Sequence, residues 1–138
     1  LSVVKKMSKI ERNNPEGLFK PEGYSQIVTT DGGRTIHLAG QGGIANDGSV
    51  PEDLGEQTKL MFEKVAIGLE AVGASSANVV RVVVYIVNLD KTDPTPVYKG
   101  IQSFFPEGDK PVSTILGVTG LALPAMKVEI DVTAWLPG

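Results

Sequence analysis

Four residues of this chain carry functional groups from which a small-molecule site could be assembled. Glu129 stands between Val128 and Ile130 in a run that alternates apolar and polar residues. It reads either as a solvated residue at a sheet edge or as a carboxylate held by sheet backbone at a subunit boundary, rigid enough to orient a water. Tyr24 follows the turn cluster Lys20-Pro-Glu-Gly23 and is either an aromatic packed on the core where a strand begins or a pocket wall with a free hydroxyl. Ser113 and Thr114 follow Pro111 at a strand start, where hydroxyls commonly bond the local backbone. Together the four support a pocket and name no reaction.

The remaining inventory mostly excludes. With no cysteine, the chain has no disulfide framework, thiolate zinc site, iron–sulfur cluster or cysteine nucleophile. The single histidine, His37, cannot supply both the acid and the base of a metal-free ribonuclease, and it reads as a hydrogen-bonded sheet residue. No G-x-S-x-G elbow, P-loop, H-E-x-x-H pair or EF-hand loop occurs. Gly40-Gln-Gly-Gly-Ile-Ala45 satisfies G-x-G-x-x-A after a strand, but Asn46-Asp-Gly48 makes a turn where a dinucleotide site needs a helix N-terminus. The plainer reading is a glycine-rich loop whose exposed N–H groups a small ligand can approach.

These groups must be positioned by regular elements. β-Formers at 24–30 and 34–39, separated by Asp31-Gly32-Gly33, predict a hairpin. Leu54, Met61, Val65, Leu69 and Val72 share one face of a helix over 51–72, with Gly73 as its stop. Residues 79–87 are nearly all β-branched and apolar on both parities, so that strand must be covered on two faces. A helix over about 95–105 and strands over 112–118 and 126–135 complete the order. In the last strand Val128, Ile130, Val132 and Ala134 form one face, and Lys127, Glu129, Asp131, Thr133 and Trp135 the other. Two helices on a largely antiparallel or mixed sheet make the class α+β. With too few helices to cover both faces, a second copy of the protein is expected on the open one.

The 138 residues are expected to form one domain, with nothing read from positions 1–7. Thirteen Lys and Arg against sixteen Asp and Glu leave a formal charge of −3, which argues against DNA and makes RNA a poor partner. No apolar run approaches the length of a membrane span and the start does not resemble a signal peptide, so a soluble, cytoplasmic protein is expected.

Several segments in order resemble the RidA/YjgF family of reactive-intermediate deaminases, formerly labelled endoribonuclease L-PSP. They are Pro21-Glu-Gly-Tyr24-Ser, Leu38-Ala-Gly-Gln41 before a turn ending in Gly48, Gln57 early in the long helix, residues 82–90, Phe104-Phe105, and Val128-Glu-Ile130 with Ala134. The resemblance implies a chorismate-mutase-like α+β subunit with both helices on one face of the sheet. It implies a homotrimer around a central barrel, with clefts between neighbours that hydrolyse 2-imino acids without a cofactor or metal. Carried over by position, Glu129 places the attacking water, Tyr24 lines the pocket, and backbone at Gly40, with Gln41 beside it, helps hold the substrate.

Two positions depart from the family's pattern. Ser113 stands where the family carries the arginine that grips the substrate carboxylate, and Tyr98 stands near a helix asparagine. Losing such a bidentate pair costs on the order of 2–5 kcal/mol, so Lys110, Arg34 or Arg12 would have to substitute. Otherwise Ser113 and Thr114 offer neutral contacts to a small imine or enamine other than an ordinary 2-imino acid. The alternatives are a non-catalytic module binding a small metabolite and, with less support, a ribonuclease or translation inhibitor.

Overall fold

The computed structural model describes residues 9–138. Strands β1 (Lys9–Asn13) and β2 (Ile27–Asp31) pair antiparallel as a separate two-stranded sheet. The main sheet is ordered β3-β6-β4-β5, from β3 (Arg34–Gly42), β4 (Val79–Val87), β5 (Val112–Val118) and β6 (Val128–Leu136). It is antiparallel across β3/β6 and β6/β4, and parallel across β4/β5. Helices α1 (Leu54–Ala71) and α2 (Thr95–Phe104) complete the fold. The parallel pair requires a crossover, and α2 provides it. The architecture is α+β, as the element order predicts.

The chemistry of each boundary is visible. Asp53 caps α1, its carboxylate accepting the Glu56 N–H at 3.0 Å. At the other end Gly73 adopts φ +81°, the Gly73 N–H donates to Glu70 and the Ala74 N–H donates to Leu69. This is a Schellman stop, which favours glycine. Met61, Val65 and Leu69 of the predicted stripe are fully buried, whereas Val72 lies beyond the helix and is exposed. Phe62 joins the stripe, stacking on Phe104 with ring centroids 4.7 Å apart and so locking α1 to α2.

The predicted hairpin is corrected by the pairing. Gly32 and Gly33 do turn the chain between β2 and β3, both at positive φ. However, β2 takes β1 as its partner and β3 takes β6. The turn instead covers Trp135, whose indole N–H donates to the Gly32 carbonyl at 2.7 Å.

Strand parity sorts the main sheet into two faces. Val82, Val84 and Ile86 of β4 and Val128, Ile130, Val132 and Ala134 of β6 are buried in the helix-side core. The opposite face carries Arg81, Val83, Tyr85 and Val87 beside Glu129, Asp131 and Thr133, and neither helix packs on it. Among the described residues no helix is long and apolar enough to cross a membrane.

Candidate functional site

Antiparallel register builds the first cluster on the face away from the helices. β6 places Glu129 opposite Tyr85 and Asp131 opposite Val83. On the other side of β6, the β3 ladder slips between Leu38 and Gln41, a bulge that leaves Ala39 and Gly40 facing Asp131. The backbone can approach there because residue 40 has no side chain. A β-carbon on Gly40 would lie 2.6 Å from Glu129 Oε2 and 3.2 Å from Asp131 Oδ1.

The electrostatics of the cluster follow from this geometry. Partial burial, and after it the Asp131 charge, hold the Glu129 carboxyl above the ordinary glutamate range. The Tyr85 hydroxyl donates to Asp131 Oδ2 at 2.6 Å. That bond, then burial and the two carboxylate charges, hold the phenol above its ordinary range, with Arg81 pulling the other way. Two carboxyl groups and a phenol thus meet at a bare stretch of backbone, an arrangement able to orient a water and take its proton.

Tyr24 belongs to a second, polar recess of about 290 Å³, shared with Arg12, Asn14, Glu22, Glu107 and Lys110. Ser25 anchors it: its N–H donates to the Pro111 carbonyl at 2.9 Å and its hydroxyl to the Lys110 carbonyl at 2.6 Å. Tyr24 is therefore fixed where β5 begins, level with Arg81. Glu129 lies four residues further along β4 and on its other side. Strand geometry puts the backbone at the start of β5 roughly 16 Å from that of Glu129, so within one chain Tyr24 and Glu129 belong to separate clusters.

The other positions disperse. Ser113 pairs with Val82 and Thr114 with Val83, so Ser113 points to the helix side and Thr114 to the open face. Tyr98 is 42% exposed on α2. The Gln41 side-chain amide donates back to the Ala39 carbonyl at 3.1 Å, closing over the bulge.

The cations considered as substitutes are engaged or distant. Buried Lys110 donates to the Phe105 carbonyl at 2.7 Å, capping α2, with Glu107 3.5 Å away. Arg12 pairs with Asp109 at 3.0 Å and donates to the Ala77 carbonyl. Arg34 opens β3 opposite Leu136, at the far end from Gly40. Sequence reasoning did not single out Tyr85 or Asp131. The available signal was the polar parity of 129, 131 and 133 beside Arg81 and Tyr85, the two residues that interrupt the aliphatic run of β4.

The same order of elements recurs in known proteins. The model of the endoribonuclease L-PSP family matches residues 18–136. The chain belongs to this family, also known as RidA/YjgF. A RutC family protein from Aquifex aeolicus is 32% identical over 114 residues, covering 80% of this chain and 86% of the relative. The crystal structure of YyfB from Yersinia pestis, a protein of unknown function in the conserved Rid family, superposes with a TM-score of 0.85 at 33% identity, over 92% of this chain and 98% of that one. The YjgF gene product of E. coli superposes with a TM-score of 0.66 at 27% identity, over 76% of this chain and 83% of that one. The α+β subunit with two helices on a mixed sheet is therefore the RidA/YjgF fold.

Proposed function

We propose that this RidA/YjgF member hydrolyses a small imine or enamine in a cleft between subunits of a cytoplasmic homotrimer. The carrying observation is the Glu129 carboxyl, half-buried against the bare Gly40 backbone with Asp131 beside it. In the reaction, Glu129 takes a proton from water as the oxygen bonds to the imine carbon and the C=N π pair moves to nitrogen. Return of that proton to nitrogen gives an amino alcohol; transfer of its hydroxyl proton to nitrogen, as the oxygen pair forms the C=O bond and the C–N pair leaves with nitrogen, releases ammonia and leaves a carbonyl. One imine and one water thus give one carbonyl compound and one ammonia, with no change of oxidation state.

The placement of Tyr24 beside the start of β5, away from Glu129 across the sheet, favours a cleft that takes Tyr24 from one subunit and Glu129 from the next, with Gly40 and Gln41 beside Glu129. The exposed apolar open-face residue Leu116 would then be covered by a neighbour. Ser113 in place of the family arginine, together with the engagement of Lys110 and Arg12, favours a substrate other than an ordinary 2-imino acid. Thr114 and Tyr98 are candidate neutral contacts.

The test is ammonia or 2-oxo acid release from imines generated in place by amine and amino-acid oxidases, with semicarbazide trapping as readout and Ser113→Arg assayed alongside. Turnover of an imine lacking a carboxylate, lost in Glu129→Gln, supports the reading. Full wild-type activity on 2-imino acids overturns its substrate class.

A second reading, a non-catalytic module binding a small metabolite, is favoured by the absence of the carboxylate-gripping arginine. It predicts no turnover and ligand affinity that survives Glu129→Gln. A ribonuclease or translation inhibitor, the activity in the family's older label, is the least supported, given the −3 charge and the single histidine.

A further inference from the structure

Two carboxyl groups face one glycine, and the proposed chemistry needs only one of them to exchange a proton. Their surroundings differ in kind. Asp131 accepts a hydroxyl hydrogen bond from Tyr85 at 2.6 Å, within the short range of charge-assisted O–H···O⁻ bonds. The Glu129 carboxyl makes no side-chain hydrogen bond among the described residues and is partly desolvated on the open face, while its chain neighbours Val128 and Ile130 point into the helix-side core. Neighbouring carboxylates resist ionising together, and a donor fixed on one of them decides which stays charged.

We propose that Tyr85 is a positioning residue for Glu129: by donating its hydroxyl to Asp131 it pins that carboxylate as a fixed charge, and so assigns the exchangeable proton of the site to Glu129. The inference rests on the proposed role of Glu129 as the base. A phenylalanine at 85 would fill the same sheet position without the donor, leaving the two carboxyl groups to share one proton and the working group half-occupied.

Among the described residues of the main sheet, the charged and titratable groups on the Glu129 face can be named. Asp131 lies on its own strand, Tyr85 and Arg81 on β4, and His37 on β3 opposite Thr133; the β5 residues of that parity, Val112, Thr114, Leu116 and Val118, carry none. Lys127, next in parity on β6, turns away to the Glu52 carbonyl. Asp131 and Tyr85 are therefore the pair whose removal should be felt at Glu129.

Two readouts independent of turnover test the proposal in the intact protein. The tyrosinate absorbance of wild type minus Tyr85→Phe isolates the Tyr85 phenol, and carboxyl NMR with 13C-labelled glutamate, assigned with Glu129→Gln, follows Glu129. In Asp131→Asn the phenol should ionise at lower pH, as should Glu129. In Tyr85→Phe the Glu129 titration should broaden as the proton is shared, with kcat falling on the order of tenfold and KM little changed. That loss is smaller than the hundredfold or more expected when a catalytic base is removed. An unmoved phenol in Asp131→Asn, or an unaltered Glu129 curve and pH–rate profile in Tyr85→Phe, overturns the proposal. Titrations that respond as described in a protein that hydrolyses no imine support the coupling and overturn only the reaction on which it was built.

Discussion

The side-chain oxygen of Gln57 accepts the backbone N–H of Lys127 at 2.8 Å, which ties the first turn of α1 to the residue two positions before Glu129. Gln57 is fully buried, and its amide nitrogen donates to the Pro51 and Ala125 carbonyls at 2.7 and 2.9 Å. Gly43, just past the end of β3, runs so close to the Gln57 backbone that a β-carbon there would lie 2.4 Å from its carbonyl oxygen. One glutamine thus holds the end of β3 and the start of β6 in fixed relation, and with them Gly40 and Glu129.

Replacing Gln57 by Leu keeps the volume but leaves the Lys127 N–H and two carbonyls without that partner. Because unmet buried groups cost more than a typical hydrogen bond contributes, the expected loss is about 2–4 kcal/mol. Urea titration of the variant measures it. Gln57→Glu, which keeps the acceptor for Lys127 but buries a carboxyl against the Pro51 and Ala125 carbonyls, should cost at least as much as Leu at neutral pH and less under acid, where the carboxyl is protonated.

Gly40→Ala separates site from fold. The added methyl meets the end of the Glu129 side chain, which can rotate away, and Gly40 is not at a positive φ. Stability should therefore change by less than about 1 kcal/mol, while displacement of the carboxylate by about 1 Å should lower turnover on the order of a hundredfold. Gly43→Ala is the contrasting control, since its methyl collides with the backbone of Gln57. It should lower the melting temperature far more than Gly40→Ala does.

Glu129 makes stability depend on pH in an identifiable direction. Its carboxyl titrates above the ordinary value of 4.5 in the folded protein, so above pH 4.5 the native state holds more protons than the unfolded chain. Stability attributable to this group therefore falls as pH rises through that window. Glu129→Gln should be more stable than wild type at neutral pH, and the difference should vanish below the unfolded value. Melting curves across acid and neutral pH read this directly, and a gap that widens on acidification would contradict it.

Lys110→Met tests whether that cation serves the fold or a ligand. Its ammonium caps the carbonyl end of α2 at Phe105. Removal should cost about 1.5–3 kcal/mol, the range for hydrogen bonds to charged groups, without altering affinity for any ligand of the cleft. Isothermal titration with a bound metabolite, beside chemical denaturation, distinguishes the two. A lost affinity at unchanged stability would restore Lys110 as a candidate for carboxylate recognition.

Where an element rests on composition within one segment, it was legible before the structure. The aliphatic run of β4 has its predicted ends at Val79 and Val87, and β5 its predicted ends at Val112 and Val118. A run of β-branched residues between polar turns, and a proline opening a strand, leave few alternatives. α1 came from the spacing of Met61, Val65 and Leu69. β1, by contrast, reads Lys-Ile-Glu-Arg-Asn, which has no strand signature of its own. It is a strand because β2 pairs with it, and that same pairing removes β2 from the hairpin that adjacency suggested.

The candidate site divides along the same line. The residue types and the resemblance of ordered motifs were enough to single out Glu129, Tyr24 and Gly40 and to indicate the family and the α+β class. Only the tertiary structure joins Tyr85 to Asp131 across 46 residues of sequence, sends Ser113 and Thr114 to opposite faces, and spends Lys110 and Arg12 on the fold. The reason is physical: side-chain periodicity is a local property of a strand or helix, whereas which strands become neighbours, and in what register, is settled by the packing of the whole core.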